Sequence, residues 1–330
     1  MGLKGRFGCL FLVLLFCFFL GVGTSGAKEV LKAVTAWPKP TTDNQAFFIF
    51  LDILNKKLQA QAPDQLEVKY LGGPEVIKSA EQVQALQKGV VDMCFTTNAY
   101  YVSLLPEVDV LKLSPFTPSE ERQRGAWAFM NRLHEEKLGI HYLARLGLGI
   151  KFHLYLSKKP IQKADLSGLN IRVSPMYLQM VKALGGNPVV IPPTEVYTAL
   201  QTGVVDGYCW PSVGIMDWGW QKLTKFVVEP GFYQVPNPLL VNLKVWQRLP
   251  ENLRKLITEA AIEAEKEAVK YFQELEKAER PKLLKEGIQV IELPPAEREK
   301  FLKTAYDAAW GELLEKCPQN GPELKKLFSK

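Results

Sequence analysis

A twelve-residue phrase occurs twice in this chain of 330 residues, and it limits the possible folds more than any other feature. Glu81 to Asp92 reads EQVQALQKGVVD, and Glu195 to Asp206 reads EVYTALQTGVVD. Eight of the twelve positions are identical, in register and 114 positions apart. Each copy reads as the end of a helix, a glycine stop and a short buried strand. Gly89 and Gly203 stand where helices most often end in a left-handed residue, a conformation only glycine adopts without strain. Ser79-Ala80-Glu81-Gln82 has the arrangement of a capping box ahead of the first copy, and Pro193-Thr194-Glu195 opens the second. Two such helix-to-strand units predict two similar α/β lobes, each sending a strand end toward a shared crevice.

The first residues read as an export signal. Lys4 and Arg6 precede an apolar run from Cys9 to Val22, and Gly23-Thr24-Ser25-Gly26-Ala27 follows. Ser25 and Ala27 have the small-residue spacing of a cleavage site. The run is shorter than the roughly 20 residues of a membrane span, and Phe16 before Cys17 argues against lipid attachment. A soluble periplasmic protein cleaved near Ala27 is expected, with no later segment embedded in a membrane. Losing Lys4 and Arg6 lowers the formal charge from +6 to +4. No basic block is interleaved with aromatics, so nucleic acid is not an expected partner. Cys94, Cys209 and Cys317 remain, an odd number with no CxxC pair, and they indicate neither a disulfide framework nor a zinc site.

Beyond residue 27 the pattern alternates between strand and helix. Strands are expected at Val30–Ala36, Leu66–Leu71, Val90–Thr96, His141–Gly147, Phe152–Leu156, Asn170–Val173, Val189–Ile191 and Leu239–Leu243. Helices are expected at Asn44–Gln61, Ser79–Lys88, Glu120–Lys137 and Met176–Leu184. Polar and aromatic loops follow both copies of the repeat: Thr96, Thr97, Asn98, Tyr100 and Tyr101 after the first, and Tyr208-Cys209-Trp210-Pro211 after the second. Pro250 to Glu279 reads as one long helix ended by Pro281. Its apolar positions from Leu253 to Leu275 step by three or four, and at roughly 45 Å it is long enough to brace both lobes.

The stretch Lys158 to Pro211, KKPIQKADLSGLNIRVSP…ALGGNPVVIPPTEVYTALQTGVVDGYCWP, resembles the solute-binding subunits of tripartite ATP-independent periplasmic (TRAP) transporters, of the dicarboxylate-binding-protein type. Asp165, Leu166, Gly168, Arg172, Val173, Ala183 to Gly185, Pro188, Pro193, Glu195 to Tyr197, Ala199 to Gln201, Gly203 and Val205 to Gly207 carry the match. The resemblance implies a two-lobed, type II-like periplasmic-binding-protein fold, each lobe a mixed sheet flanked by helices. It places lobe I at residues 28–150 plus about 237–275, and lobe II at 151–236 plus about 276–330. The implied function is capture of an organic-acid anion for a small four-helix membrane subunit and a large permease. A receptor for an ATP-driven importer or a sensor kinase would share that fold and pocket, differing only in partner.

Arg172 matches the family's carboxylate-binding arginine. The chemistry suits it, because a guanidinium stays charged when desolvated and offers a planar fork to two oxygens. Lys151, in Gly149-Ile150-Lys151-Phe152, matches a second basic position. Trp210 resembles the branch that includes binders of 2-oxo and 2-hydroxy acids, where an aromatic wall contacts the ligand's carbon skeleton. Trp37, Asn98, Tyr100, Phe152, Trp218, Tyr233 and Gln234 complete the pocket candidates, with core packing as the rival role. The chain departs from that branch where metal-binding glutamates are expected, with Cys209 at one position and Gln234 at the other. Hard cations favour charged oxygen donors, so neither metal nor other cofactor is expected. No HExxH, GxSxG, P-loop or GxGxxG motif is present. His134 reads as a helix-surface residue, and His141 and His153 as strand residues. A secreted enzyme acting on a small organic acid is the weaker alternative to a binding protein.

Overall fold

The computed structural model describes residues 28–147 and 149–330, together with Met1. The expected leader and its Ser25–Ala27 cleavage site lie outside the described residues. In chain order these residues form β1 (Glu29–Thr35), α1 (Gln45–Gln61), β2 (Leu66–Gly72), α2 (Gln82–Gln87), β3 (Met93–Phe95), α3 (Pro118–Gln123), α4 (Ala126–Leu138), β4 (Ile140–Leu146) and β5 (Lys151–Leu156). They continue through β6 (Asn170–Val173), α5 (Leu178–Ala183), β7 (Asn187–Val190), α6 (Pro193–Thr202), β8 (Gly207–Pro211), β9 (Phe226–Gln234) and β10 (Asn237–Asn242). Then come α7 (Leu243–Arg248), α8 (Glu251–Lys285), β11 (Gln289–Glu292), α9 (Pro295–Lys316) and α10 (Gly321–Phe328).

Two mixed sheets result. The first has the order β2-β1-β3-β10-β4 and the second β11-β9-β5-β8-β6-β7. In the first, β1, β2 and β3 run parallel while β10 is antiparallel to β3 and β4. In the second, β6, β7 and β8 are parallel, and β5 is antiparallel to β8 and β9. The chain passes from the first sheet to the second between β4 and β5, and returns between β9 and β10. Helix α8 packs along α1 and β4, while α9 packs on α5 and β9. Among the described residues no helix is long and apolar enough to cross a membrane.

The repeat has a more specific structural role than the sequence implies. Gly89 and Gly203 do adopt positive φ, +72° and +76°. The strands, however, begin beyond Asp92 and Asp206, and Val90 and Val204 are exposed. The reason is local. Asp92 donates its backbone N–H to the Lys32 carbonyl at 2.8 Å, and its Oδ2 accepts the Lys32 N–H at 2.8 Å. Asp206 treats Asn170 identically, at 2.7 Å and 2.9 Å. In each sheet the repeated aspartate thus clamps both backbone groups of one residue on a neighbouring strand, fixing the register before the ladder starts.

Other expectations are corrected. Ser79 does not cap a helix; its hydroxyl donates to the Ala36 carbonyl at 2.7 Å. The capping box of this region belongs to Thr117 and Glu120, at the start of α3. The helix expected over Glu120–Lys137 is two, because Gly125 takes φ +79° between them. Pro281 lies inside α8 and does not end it. It is exposed, so water can satisfy the carbonyl that its missing N–H leaves free. Strands β9 and β11 and helices α7, α9 and α10 are absent from the sequence-based expectation. His134 is fully buried in α4, with Nδ1 donating to the Met130 carbonyl at 2.8 Å and Nε2 accepting from the Tyr101 hydroxyl at 3.0 Å. Burial lowers its pKa to about 4.

Candidate functional site

Between the two sheets lies a small cavity of about 30 Å³. Its walls come from the carboxyl ends of parallel strands, as expected for open α/β sheets. Trp37 follows β1, Thr97, Ala99 and Tyr100 follow β3, Arg172 and Ser174 come from the end of β6, and Trp210 and Pro211 from β8. Asp43, Phe152, Met176, Tyr177, Val235 and Asn237 complete the lining.

Each wall is held from behind. The Trp37 carbonyl accepts from Thr35 Oγ1 at 2.9 Å and from Asn44 Nδ2 at 2.8 Å. A side chain at Gly73 would meet that carbonyl at 2.4 Å, so only glycine allows the Trp37 turn to lie so close. Trp210 is wedged against Trp220, with ring centres 4.8 Å apart, and Trp218 stands 6.2 Å from it. Phe152 meets Tyr177 edge-on at 4.9 Å. Aromatic rings fixed on both faces give a rigid apolar enclosure for a carbon skeleton.

Arg172 supplies the charge. It is only 2% exposed, and its guanidinium carbon sits 5.5 Å from the Trp210 ring centre. Nε donates to the Ile191 carbonyl at 3.0 Å, whereas Nη1 is buried with no hydrogen-bond partner among the described residues. Burial lowers its pKa, and the groups that act against this are Tyr100, Tyr177 and Cys209, none of them a carboxylate. Tyr100 is pushed up to about 12 by burial, despite the nearby arginine. A buried guanidinium without a counter-ion can accept a carboxylate there at little further desolvation cost.

Five of the ten side chains singled out in the sequence meet in this cavity: Trp37, Tyr100, Phe152, Arg172 and Trp210. Trp218 lines an adjoining opening shared with Trp37, Tyr100, Pro193 and Glu195. The other four do not line the cavity. Asn98 is buried and donates to Asp109 Oδ1 at 3.0 Å. Tyr233 is also buried, its hydroxyl donating to the Ala305 carbonyl at 2.5 Å and its ring lying 5.0 Å from Lys112 Nζ. Lys151 is exposed at the start of β5, and Gln234 pairs with it across the sheet. Among the described residues no group of three His, Cys, Asp or Glu side chains is arranged to hold a metal ion. Cys209 is fully buried, and burial raises its thiol pKa.

Sequence reasoning missed Asp43, Ser174 and Tyr177 as cavity residues. Ser174 could have been found, because it lies two positions beyond Arg172, where the backbone stays extended past the end of β6, and so shares its face. Asp43 gave no such signal, since Thr42-Asp43-Asn44 reads as an ordinary helix leader.

Residues 37–316 match the family described as bacterial extracellular solute-binding protein, family 7. A monocarboxylate 2-oxoacid-binding periplasmic protein of Nostoc sp. is 24% identical over 288 residues, 84% of this chain and 77% of that one. A TRAP periplasmic solute-binding protein of Desulfovibrio salexigens, solved with orotic acid, superposes with a TM-score of 0.80 at 21% identity, over 91% of this chain and 97% of its own. An extracytoplasmic solute receptor of Bordetella pertussis that binds pyroglutamic acid gives 0.79 at 19% identity, over 92% and 100%.

Proposed function

The chain belongs to the bacterial extracellular solute-binding proteins of family 7, and we propose that it captures a carboxylate-bearing organic acid between its two sheets, with Arg172 as the carboxylate anchor. The observation that carries this reading is Arg172 Nη1, buried in an aromatic-walled cavity and unpaired among the described residues, with only Tyr100, Tyr177 and Cys209 acting on its charge. The 2-oxoacids, orotic acid and pyroglutamic acid named for the three relatives each carry one carboxyl group, which agrees with one arginine among the residues lining the cavity.

The captured acid would be handed to the two membrane subunits of a TRAP transporter. Residues 28–150 with about 237–275 would act as one lobe, and 151–236 with about 276–330 as the other. A leader over residues 1–27 would place the protein in the periplasm, with a mature N-terminus near Lys28. N-terminal sequencing of periplasmic protein tests that placement, and full-length protein retained in the membrane would overturn it. The family is one of binding proteins, and no chemical step is assigned to the cavity. A thermal-shift screen against organic acids tests the function: a ligand at 100 times its Kd stabilises by about 2.7 kcal/mol. An acid consumed during incubation would favour an enzyme instead.

A further inference from the structure

Resting on the reading of Arg172 as the carboxylate anchor, we propose that Asp43 is the second polar anchor of the cavity. It selects monocarboxylates that carry an N–H or O–H donor away from the carboxyl group, and it rejects dicarboxylates.

Asp43 lies in the short turn Thr42–Asn44 that leads into α1, is 8% exposed, and lines the same cavity as Arg172. Its Oδ2 is buried with no hydrogen-bond partner among the described residues. A buried carboxylate oxygen left unpaired is costly, so a site that retains one is suited to a ligand that donates to it.

The neighbours of Asp43 define what that ligand can be. Asp217, from the loop after β8, accepts the Thr42 backbone N–H at 2.6 Å. Glu279, from α8, accepts the Gly214 N–H at 3.0 Å. Both carboxylates are therefore engaged elsewhere, and both act on Asp43 as like charges. Tyr100 lines the same cavity, and the Asp43 carboxylate acts on its hydroxyl as a like charge. Burial and the two carboxylates raise the Asp43 carboxyl to about 7, and no cation is among the influences upon it. A second carboxylate on the ligand would bring another negative charge into this corner. A hydroxyl, amide N–H or ammonium group would instead fill the vacant acceptor. The cavity thus has a cationic donor at one station and an anionic acceptor at another, a pattern that suits a hydroxy acid, a lactam acid or an amino acid.

The experiment compares matched acids at pH 8.5, where Asp43 is ionised, by calorimetric titration. One pair is pyroglutamate and its lactone analogue, in which the ring N–H is replaced by oxygen. A second is 4-hydroxyphenylacetate and phenylacetate, and succinate and glutarate provide the dicarboxylates. The donor-bearing member of a bound pair should bind ten- to a hundredfold tighter in the wild type. In Asp43→Leu that preference should fall within threefold, while Arg172-dependent binding persists. In Asp43→Asn the dicarboxylates should gain affinity. Equal binding within every bound pair, or a dicarboxylate as the tightest ligand, overturns this inference and leaves the carboxylate reading standing. Failure of every acid to bind overturns both.

Discussion

Arg172 Nε donates to the backbone carbonyl of Ile191 at 3.0 Å, and this bond decides which way the guanidinium faces. Ile191 directly follows β7, the edge strand parallel to β6. The arginine is thus tied to its own sheet by one nitrogen, while Nη1 has no partner among the described residues. A tethered arginine is better prepared for a carboxylate than a free one, since little rotamer freedom remains to be lost on binding.

Arg172→Ala should weaken binding of the screened acid by about 2–5 kcal/mol, because the ligand anion would be buried unpaired. That is roughly 30- to several-thousand-fold in affinity. Arg172→Lys keeps the charge without the fork and should rescue only part of it. Melting without ligand should change little in either variant. Losing the Ile191 bond costs about 1 kcal/mol, offset by relief from a buried, unpaired charge. Calorimetric titration beside ligand-free melting separates the two effects. Binding of Arg172→Ala within threefold of wild type would place the carboxylate anchor elsewhere.

Ligand binding should be indifferent to metal. Cys209 remains a thiol, held so by burial, and Gln234 offers a neutral amide where related chains are expected to carry charged oxygen. Hard cations bind weakly to such a pair. Thorough chelation, or exchange of sodium for potassium, should change Kd by less than twofold. A tenfold loss under either condition would mean that other donors rebuild a cation site.

The sequence made the architecture legible because the repeat, the glycine stops and the helical periodicity are local signals. Arg172, Trp210, Trp37 and Tyr100 were legible as cavity residues because they end or follow strands, and Phe152 because it opens the antiparallel β5 at the same end of its sheet. Lys151 does not line the cavity, because at its position the strand turns it to solvent. Asn98 and Tyr233 stay out of the lining for the opposite reason. Both have polar side chains that could serve a ligand, but Asp109 and the Ala305 carbonyl, distant in sequence or unsuspected, take their hydrogen bonds. Asp43 could not be read at all, since its meaning depends on Asp217 and Glu279, which only tertiary packing brings to it.

The aspartates of the repeat should matter for stability and not for ligand contact. Asp92→Ala and Asp206→Ala each leave a strand N–H without its acceptor, that of Lys32 or Asn170. Each should cost about 1–3 kcal/mol. The asparagine variants retain an acceptor oxygen and should cost less. Because the two clamps lie in different sheets, the double variant should lose close to the sum. Denaturant unfolding measures this, and a cost below about 0.5 kcal/mol for both alanine variants would show the clamps to be incidental.

Asp43 should give the ligand-free protein a stability that depends on pH in an unusual direction. Its folded-state carboxyl is raised, chiefly by burial and then by Asp217 and Glu279, to about 7 from an ordinary value near 4. The folded chain therefore holds a proton that the unfolded chain releases across that interval. Stability from this group is fully present at low pH and is lost as pH rises from about 4 to about 7. At about 1.4 kcal/mol per pH unit, the loss amounts to as much as about 4 kcal/mol. His134 works the other way. Its folded pKa is lowered to about 4 by burial, so its contribution is present above about 6.5 and disappears as pH falls. The two trends overlap and partly cancel in the wild type, which is why the wild-type curve alone decides nothing. Subtracting the curve of Asp43→Asn removes everything the two proteins share, His134 included. At pH 4.5, where Asp43 is protonated and asparagine is nearly isosteric with it, the two should be about equally stable. By pH 8 the variant should be the more stable by several kcal/mol. Denaturant unfolding at both pH values measures the difference. If it is the same at pH 4.5 and pH 8, Asp43 titrates as an ordinary exposed carboxylate, and its assignment as a buried, unpaired acceptor is lost.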